Sequence, residues 1–288
     1  MKKILSIALI VIMLLGACFS FTSCSNDEII VQTNAFFAPF EYYDGTEIKG
    51  VDVEIMALVG EKMGKKVKFE NVEFSAIIDN VAAGKVCDCG AAGITITDER
   101  KEKVDFSTPY YTSVQYVIYS KDDSSIKTKT VDGNTYIVWE ALAGKTIGTQ
   151  TDTTGWIYTD GEINAQESND YGYDGVLYGT DTKLKNFDNA QLAADGIKSN
   201  IVDAVIIDEL PAKYIVDKNA SLVCVPLYYS GETDADDAPV EEQYAICVTK
   251  GNTELLNAIN EVLNDLMKKD ANGKTKIDEL VMKHMNLD

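Results

Sequence analysis

The sequence predicts a two-lobed α/β protein. Strand-like and helix-like runs alternate along most of the chain, the rhythm of a parallel sheet with helices on its faces. The length, 288 residues, is near twice the common domain size. Hydrophobic residues make up 45% of the chain, enough for a core and too many for general disorder. Acidic residues number 46 against 26 basic ones, a formal charge of −20. That balance argues against nucleic acid and anionic lipid surfaces as partners, because phosphate contacts need clustered Lys and Arg.

The N-terminus reads as an export signal. Met1-Lys2-Lys3 is a short positive region, Ile4 to Leu15 is apolar apart from Ser6, and Leu15-Gly16-Ala17-Cys18 follows. The apolar run is shorter than the ~20 residues of a spanning helix. Leu-Gly-Ala-Cys resembles a bacterial lipobox, which makes Cys18 the expected site of acylation; Phe21-Thr22-Ser23-Cys24 offers Cys24 as the alternative. Residues 1–24 form this signal and lipobox region.

Strands are expected at Ile29 to Thr33, Val67 to Glu70, Val86 to Ala91 and Val114 to Tyr119. Between them, Ile55, Met56, Leu58, Val59 and Met63 fall at helical spacing before Gly64. Phe74, Ile77, Ile78 and Val81 do the same before Gly84. Thr97 is a candidate cap for a short helix. After a polar stretch from Asp122 to Asn134, Lys145-Thr146-Ile147-Gly148 resumes a strand and Thr153-Thr154 opens a helix. Residues 159–189 read as a long loop or insertion. Ala190 to Lys198 is helical, Ala204 to Ile207 is a buried strand ending at Asp208, and Pro211 leads a helix to about Lys218. Ser221 to Pro226 and Tyr244 to Thr249 are strands around an acidic loop. A helix then runs from Asn252 or Thr253, and a last amphipathic one carries His284.

Several blocks in this order resemble the substrate-binding proteins of polar amino-acid ABC transporters, bacterial solute-binding protein family 3. The most specific runs from Ala92-Gly93-Ile94-Thr95-Ile96-Thr97-Asp98-Glu99-Arg100 into Val104-Asp105-Phe106-Ser107-Thr108-Pro109-Tyr110-Tyr111. Ala38-Pro39-Phe40-Glu41-Tyr42, Gly50-Val51-Asp52-Val53-Glu54-Ile55, Phe74-Ser75-Ala76-Ile77-Ile78, Val202 to Asp208 and Tyr244 to Val248 add to it. The resemblance implies the type II periplasmic-binding fold with two hinge crossings, near Tyr110–Val114 and Glu241–Tyr244. Lobe 1 would comprise residues 29–113 plus 245–288, and lobe 2 residues 114–241. It implies a monomer that closes around an L-amino acid and delivers it to a membrane permease, with no cofactor and no metal.

The chemistry of such a ligand assigns roles. A zwitterion in a closed cleft needs a partner for each charge. A carboxylate is best gripped by the fork of an arginine, and Arg100 is the sole arginine in a chain otherwise served by lysine. A local pairing of Arg100 with Glu99, Glu102 or Asp105 is the competing explanation. By resemblance, Arg100 takes the α-carboxylate with Gly93 and Thr95, and Asp208, at a strand end where ligands of open α/β sheets sit, takes the α-ammonium. Asp208 would equally serve as a helix N-cap. Gln150 and Thr154 match contacts from lobe 2; Asp152 stands where the family usually has Gly, and its charge would repel a carboxylate unless it points away. Phe37 and Phe74 match aromatic walls. Asn34 and Gln150 are neutral where charged residues occur in glutamine and basic-amino-acid binders, which weakly favours a neutral polar ligand.

Two other classes compete: a dehydratase-like enzyme on the same fold, and a receptor-type sensor domain. The only histidine, His284, reads as a partly buried residue of a helix face, and no nucleophile motif, phosphate loop or metal cluster appears. A sensor needs a second long apolar run, which the sequence lacks. Cys87, Cys89, Cys224 and Cys247 read as buried free thiols. A thermal-shift screen of the twenty amino acids tests the central expectation: at least one raises the melting temperature, and a screen in which none does contradicts it.

Overall fold

In a computed structural model, residues 27–165 and 173–285 are described. The proposed signal and acylation cysteines Cys18 and Cys24 lie outside them. The chain builds two α/β lobes.

The first sheet has five strands in the order β5 (Lys66–Asn71), β1 (Glu28–Thr33), β6 (Cys89–Gly90), β17 (Cys247–Thr249) and β7 (Val104–Phe106). Strand β1 pairs in parallel with β5 and β6, whereas β17 returns antiparallel between β6 and β7. The expected parallel sheet is therefore mixed, because a strand from the far end of the chain closes it. Helix α1 (Val51–Met63) buries Ile55, Met56 and Val59 and ends at Gly64, whose φ of 65° is the left-handed turn that favours glycine. Helix α2 (Phe74–Ala83) covers the other face with Ile77 and Val81. A three-stranded sheet, β2 (Phe36–Phe37), β3 (Glu41–Asp44) and β4 (Glu47–Lys49), stands at the end of β1; its strands are too short for a periodic signal.

The second sheet has nine strands. Its central path runs β12 (Lys183–Phe187), β11 (Thr146–Gln150), β13 (Ala204–Asp208), β8 (Tyr111–Ser120) and β14 (Leu222–Tyr229), then β10 (Asn134–Val138) and β9 (Lys129–Val131). Helices α4 (Thr154–Asn164), α5 (Ala190–Lys198) and α6 (Glu209–Asp217) connect and cover it. The described residues of segment 159–189 carry more structure than the expected loop: α4 extends to Asn164, β12 adds a parallel edge to β11, and Leu177 is buried. Gly, Asp and Tyr dilute the apolar pattern there, so only packing onto β11 and α4 reveals these elements.

Two strands pass between the lobes. β8 pairs antiparallel with β16 (Glu241–Tyr244) at Tyr111–Val114, the two hinge crossings expected from sequence. The strand expected from Tyr244 to Thr249 is divided: β16 ends at Tyr244 in the hinge, and β17 begins at Cys247 in the first sheet.

The Val86–Ala91 strand shrinks to β6. Cys87 lies before it, and the two cysteines enter different cores, Cys89 beneath α1 and Cys87 with Cys247 beneath α2. All four described thiols are free. Burial pushes Cys87 and Cys224 up to about 11 and Cys247 to about 12, so they stay protonated and unreactive at neutral pH.

His284 is buried, more deeply than the partly buried position expected. It lies on the last helix, α8 (Lys276–Met285), after α7 (Thr253–Leu266). Its Nδ1 is 2.9 Å from the Tyr42 hydroxyl of β3, and its Nε2 is 2.6 Å from Glu54 Oε1 of α1. The imidazole thus clasps the C-terminal helix to the first lobe. Replacing His284 with Ala leaves buried Tyr42 without that partner. Such a group costs about 1–3 kcal/mol, which urea unfolding should register as a lower midpoint with unchanged amino-acid binding.

Candidate functional site

A narrow cleft lies between the lobes, and all nine residues singled out in the sequence line it: Asn34, Phe37, Phe74, Gly93, Thr95, Arg100, Gln150, Thr154 and Asp208. Thr153, Ala92 and Glu41 complete the lining. The first lobe contributes the ends of β1 and β6, the start of α2 and the short helix α3 (Asp98–Lys103). The second contributes the carboxyl ends of β11 and β13 and the start of α4, as expected of an open α/β sheet.

Arg100 is positioned from its own backbone outward. Thr97 caps α3 by accepting from the Arg100 N–H at 3.1 Å. The guanidinium then turns inward, donating through one terminal nitrogen to the Thr95 carbonyl and through the other to the Asp152 carbonyl of the second lobe, both at 2.8 Å. It lies 5.5 Å over the Phe74 ring and is buried. Among the described residues, no ion pair joins it to a carboxylate, so pairing with Glu99, Glu102 or Asp105 does not explain it. Five N–H donors make up a guanidinium; two serve these carbonyls and the others remain for an anion. Burial lowers its proton affinity, and Glu242 and Asp208 nearby partly offset that.

Asp152 resolves its own puzzle. Its φ is 61°, the left-handed conformation that makes Gly usual at this position. The bend aims its carbonyl at Arg100, while its side chain faces an outer groove shared with Asp79, Glu99 and Lys103 and does not line the cleft. Its charge is therefore directed away from the cleft.

Asp208 ends β13 and is buried. It stands at the N-cap position of α6, but its side chain makes no cap bond, and its Oδ1 finds no protein partner. Burial first, and Glu242 next, hold its carboxyl well above the usual carboxylate range. Glu41 shares this character. It opens β3, is wholly buried, and neither carboxylate oxygen has a protein partner. Desolvation, then Asp52 and Asp208, push its proton affinity far up. The sequence quoted Glu41 only inside a motif. The signal it carried was an acidic residue between Phe40 and Tyr42 in an otherwise apolar run.

Other groups brace the site. The Gln150 amide donates to Asn34 Oδ1 across the cleft at 3.0 Å, and Asn34 donates to the Val72 carbonyl at 2.8 Å. The Gly93 N–H donates to Asp52 Oδ2 at 3.0 Å, so this N–H serves the protein and does not point to a ligand. Gly93 has φ 54°, and a Cβ there would stand 2.7 Å from the Phe37 ring; glycine is what lets Phe37 lie against the loop. Thr153 donates to the Gln150 carbonyl at 2.8 Å and caps α4.

The comparisons with known proteins agree with this geometry. Residues 29–280 match the model of bacterial extracellular solute-binding proteins, family 3. The chain belongs to that family. The arginine-binding extracellular protein ArtP of Bacillus subtilis is 30% identical over 273 residues, covering 92% of this chain and 93% of its own. The structure of AbpA, an amino acid ABC transporter substrate-binding protein from Streptococcus pneumoniae bound to L-arginine, superposes with a TM-score of 0.71. It is 26% identical and covers 91% of this chain and 95% of its own. An ancestral arginine-binding protein bound to glutamine gives 0.67 at 34% identity, covering 89% and 97%. This solute-binding protein thus shares its fold with amino-acid-binding proteins.

Asp52 supplies a test of the bracing. Tyr110 beside the hinge donates to its Oδ1 at 2.5 Å, and burial raises its carboxyl to about 6 despite that bond and the one from Gly93. A carboxyl raised in the folded state binds more protons there than when unfolded, so its contribution to stability falls as pH rises from about 4 to 6. Two units correspond to about 3 kcal/mol. Urea titrations across that range should show Asp52→Asn losing less stability with rising pH than the unchanged protein.

Proposed function

We propose that this solute-binding protein is the substrate-binding component of an amino-acid ABC importer, and that its ligand is an L-amino acid with a cationic side chain. It is exported, anchored through an acylated Cys18 (Cys24 being the alternative), and acts as a monomer that hands its ligand to the permease. The lobes divide as residues 29–113 with 245–288, and 114–241. It binds its ligand without turning it over; the lone histidine is committed to the fold.

The observation that carries the ligand class is the charge of the cleft lining: one guanidinium, Arg100, against two buried carboxyl groups, Asp208 and Glu41, the second feeling both Asp52 and Asp208. The α-carboxylate on Arg100 and the α-ammonium on Asp208 would leave Glu41, buried and unpartnered, facing the side chain. A buried ionised carboxylate needs a cation, and a guanidinium or ammonium group supplies one. The aromatic rings of Phe37 and Phe74 would flank its methylenes, and Phe74 already lies against a guanidinium. The relatives named for arginine are in keeping with this reading. A neutral ligand such as glutamine is the second reading. It is favoured by the amide pair Asn34–Gln150, and an arginine-binding relative also holds glutamine.

Closure is a hinge motion about β8 and β16. A ligand that touches Arg100 and Asp208 together contacts both lobes only when they are shut, which favours the closed state.

Calorimetric titration with arginine, lysine and glutamine decides between the readings. Arginine or lysine should bind at micromolar levels or tighter and glutamine more weakly. Arg100→Ala should remove about 3–5 kcal/mol, roughly a thousandfold, and Asp208→Ala a similar amount. Glu41→Gln should weaken the cationic ligands about a hundredfold while leaving glutamine unchanged or improved. Affinity for the cations should rise with pH, because Glu41 and Asp208 must lose their protons before they can hold a positive charge. If glutamine binds best and Glu41→Gln changes nothing, the ligand is neutral; if no amino acid binds, the assignment itself is wrong.

A further inference from the structure

Glu242 lies in the second hinge crossing, in no part of the cleft lining, and is buried. Its Oε2 accepts from the Thr95 hydroxyl at 2.8 Å, and its Oε1 accepts from the Gln115 amide at 2.9 Å. Thr95 belongs to the loop of the first lobe whose carbonyl receives Arg100. Gln115 belongs to β8, opposite Asp208 in the strand register. Strand β8 carries Asp208 across from Gln115 on one edge and Glu242 across from Ser113 on the other. Residues 113 and 115 share one face of a strand, so Asp208, Gln115 and Glu242 stand together on that face as cross-strand neighbours. The oxygen of Gln115 in turn lies where a Cβ on Gly155 would be 3.1 Å away, at the start of α4. One carboxylate therefore joins the Arg100 loop, the hinge and the strand end bearing Asp208.

This arrangement leaves two carboxyl groups side by side, away from water. Like charges in such a place cannot both ionise cheaply, and one proton between them relieves the repulsion. Both Glu242 oxygens already accept, from Thr95 and Gln115, whereas Asp208 Oδ1 has no partner, so Asp208 is the one with room for the proton. The other groups facing Asp208 are Glu41 of β3, Arg100 of α3, Tyr111 of β8, Tyr158 of α4 and Tyr244 of β16. Of these only Arg100 is cationic, and its fork is already tied to two carbonyls.

We infer that Glu242 is a positioning residue of the amino-acid site: it fixes Thr95 and Gln115 beneath the ligand, and it shares with Asp208 one proton that passes to solvent when the ligand's ammonium takes its place. This rests on the reading of Asp208 as the ammonium acceptor. The one bond that changes is the carboxyl O–H, whose proton goes to the buffer base while the electron pair stays on the carboxylate; the ammonium keeps its own protons. Binding is thereby coupled to pH through the hinge as well as through the side-chain subsite.

The test counts protons. L-Arginine is titrated calorimetrically into the full protein at one pH in two buffers of different ionisation enthalpy, for the unchanged chain, Glu242→Gln and Glu41→Gln. Glu41 is common to the first two, so their difference isolates Glu242. Glu242→Gln should still bind but release about one proton fewer, and its affinity should lose the corresponding tenfold change per pH unit. Glu41→Gln, which keeps Asp208 and Glu242, should still release about one. Equal counts for Glu242→Gln and the unchanged chain overturn the inference, as does a count near zero for Glu41→Gln; the latter decides the matter even if Glu242→Gln fails to fold. If the unchanged chain binds none of the cationic or neutral amino acids, the proposed function fails instead, a result separate from the proton count.

Discussion

The structure turns on the burial of one guanidinium between two lobes. Arg100 is enclosed, has no carboxylate partner among the described residues, and bonds to a carbonyl from each side of the cleft. A charge taken from water needs compensation, and two carbonyl dipoles supply only part of it. The Phe74 ring, the cap at Thr97 and the left-handed backbone of Asp152 all follow from holding that group in one orientation. Its unused donors are what an anion would meet.

Around it the cleft is dominated by acid. Glu41, Asp52, Asp208 and Glu242 are all buried near the line where the lobes meet. Each is stabilised differently. Asp52 is satisfied by Tyr110 and Gly93 and serves the scaffold, and Glu242 by Thr95 and Gln115 and serves the hinge. Asp208 has one oxygen without a protein partner, and Glu41 has two. Buried polar groups are normally paired, so among these four carboxyl groups the unpaired ones that line the cleft, Asp208 and Glu41, are the ones left for the proposed ligand. This separation, more than the acidity of the whole chain, is what the proposed preference for a cationic guest rests on.

The hinge carries the same logic into motion. Two antiparallel strands, β8 and β16, are the crossings between the lobes, and Tyr110, Gln115 and Glu242 on or beside them contact residues that shape the cleft. Opening the lobes about this point would separate Gln150 from Asn34 and Arg100 from the Asp152 carbonyl. The closed state is thus defined by a few polar contacts across the cleft, which a bound zwitterion would supplement.

Much of this was legible in the sequence. Helical spacing before Gly64 and Gly84, the Thr97 cap and the apolar run into Asp208 are local signals, and they fixed α1, α2, α3 and β13. The solitary arginine and the ordered motifs named the nine residues that line the cleft, since residue type and spacing carry that information. What could not be read was set by contacts far apart in sequence. β17 enters the first sheet from the chain's far end, β12 is recognisable only beside β11, and His284 is buried only because Tyr42 and Glu54 meet it. The roles of Glu41 and Glu242 belong to the same class. An acidic residue in a sequence is solvated by default, and only the folded chain, by removing water and withholding or supplying a donor, decides whether its charge is silent, structural or aimed at a ligand.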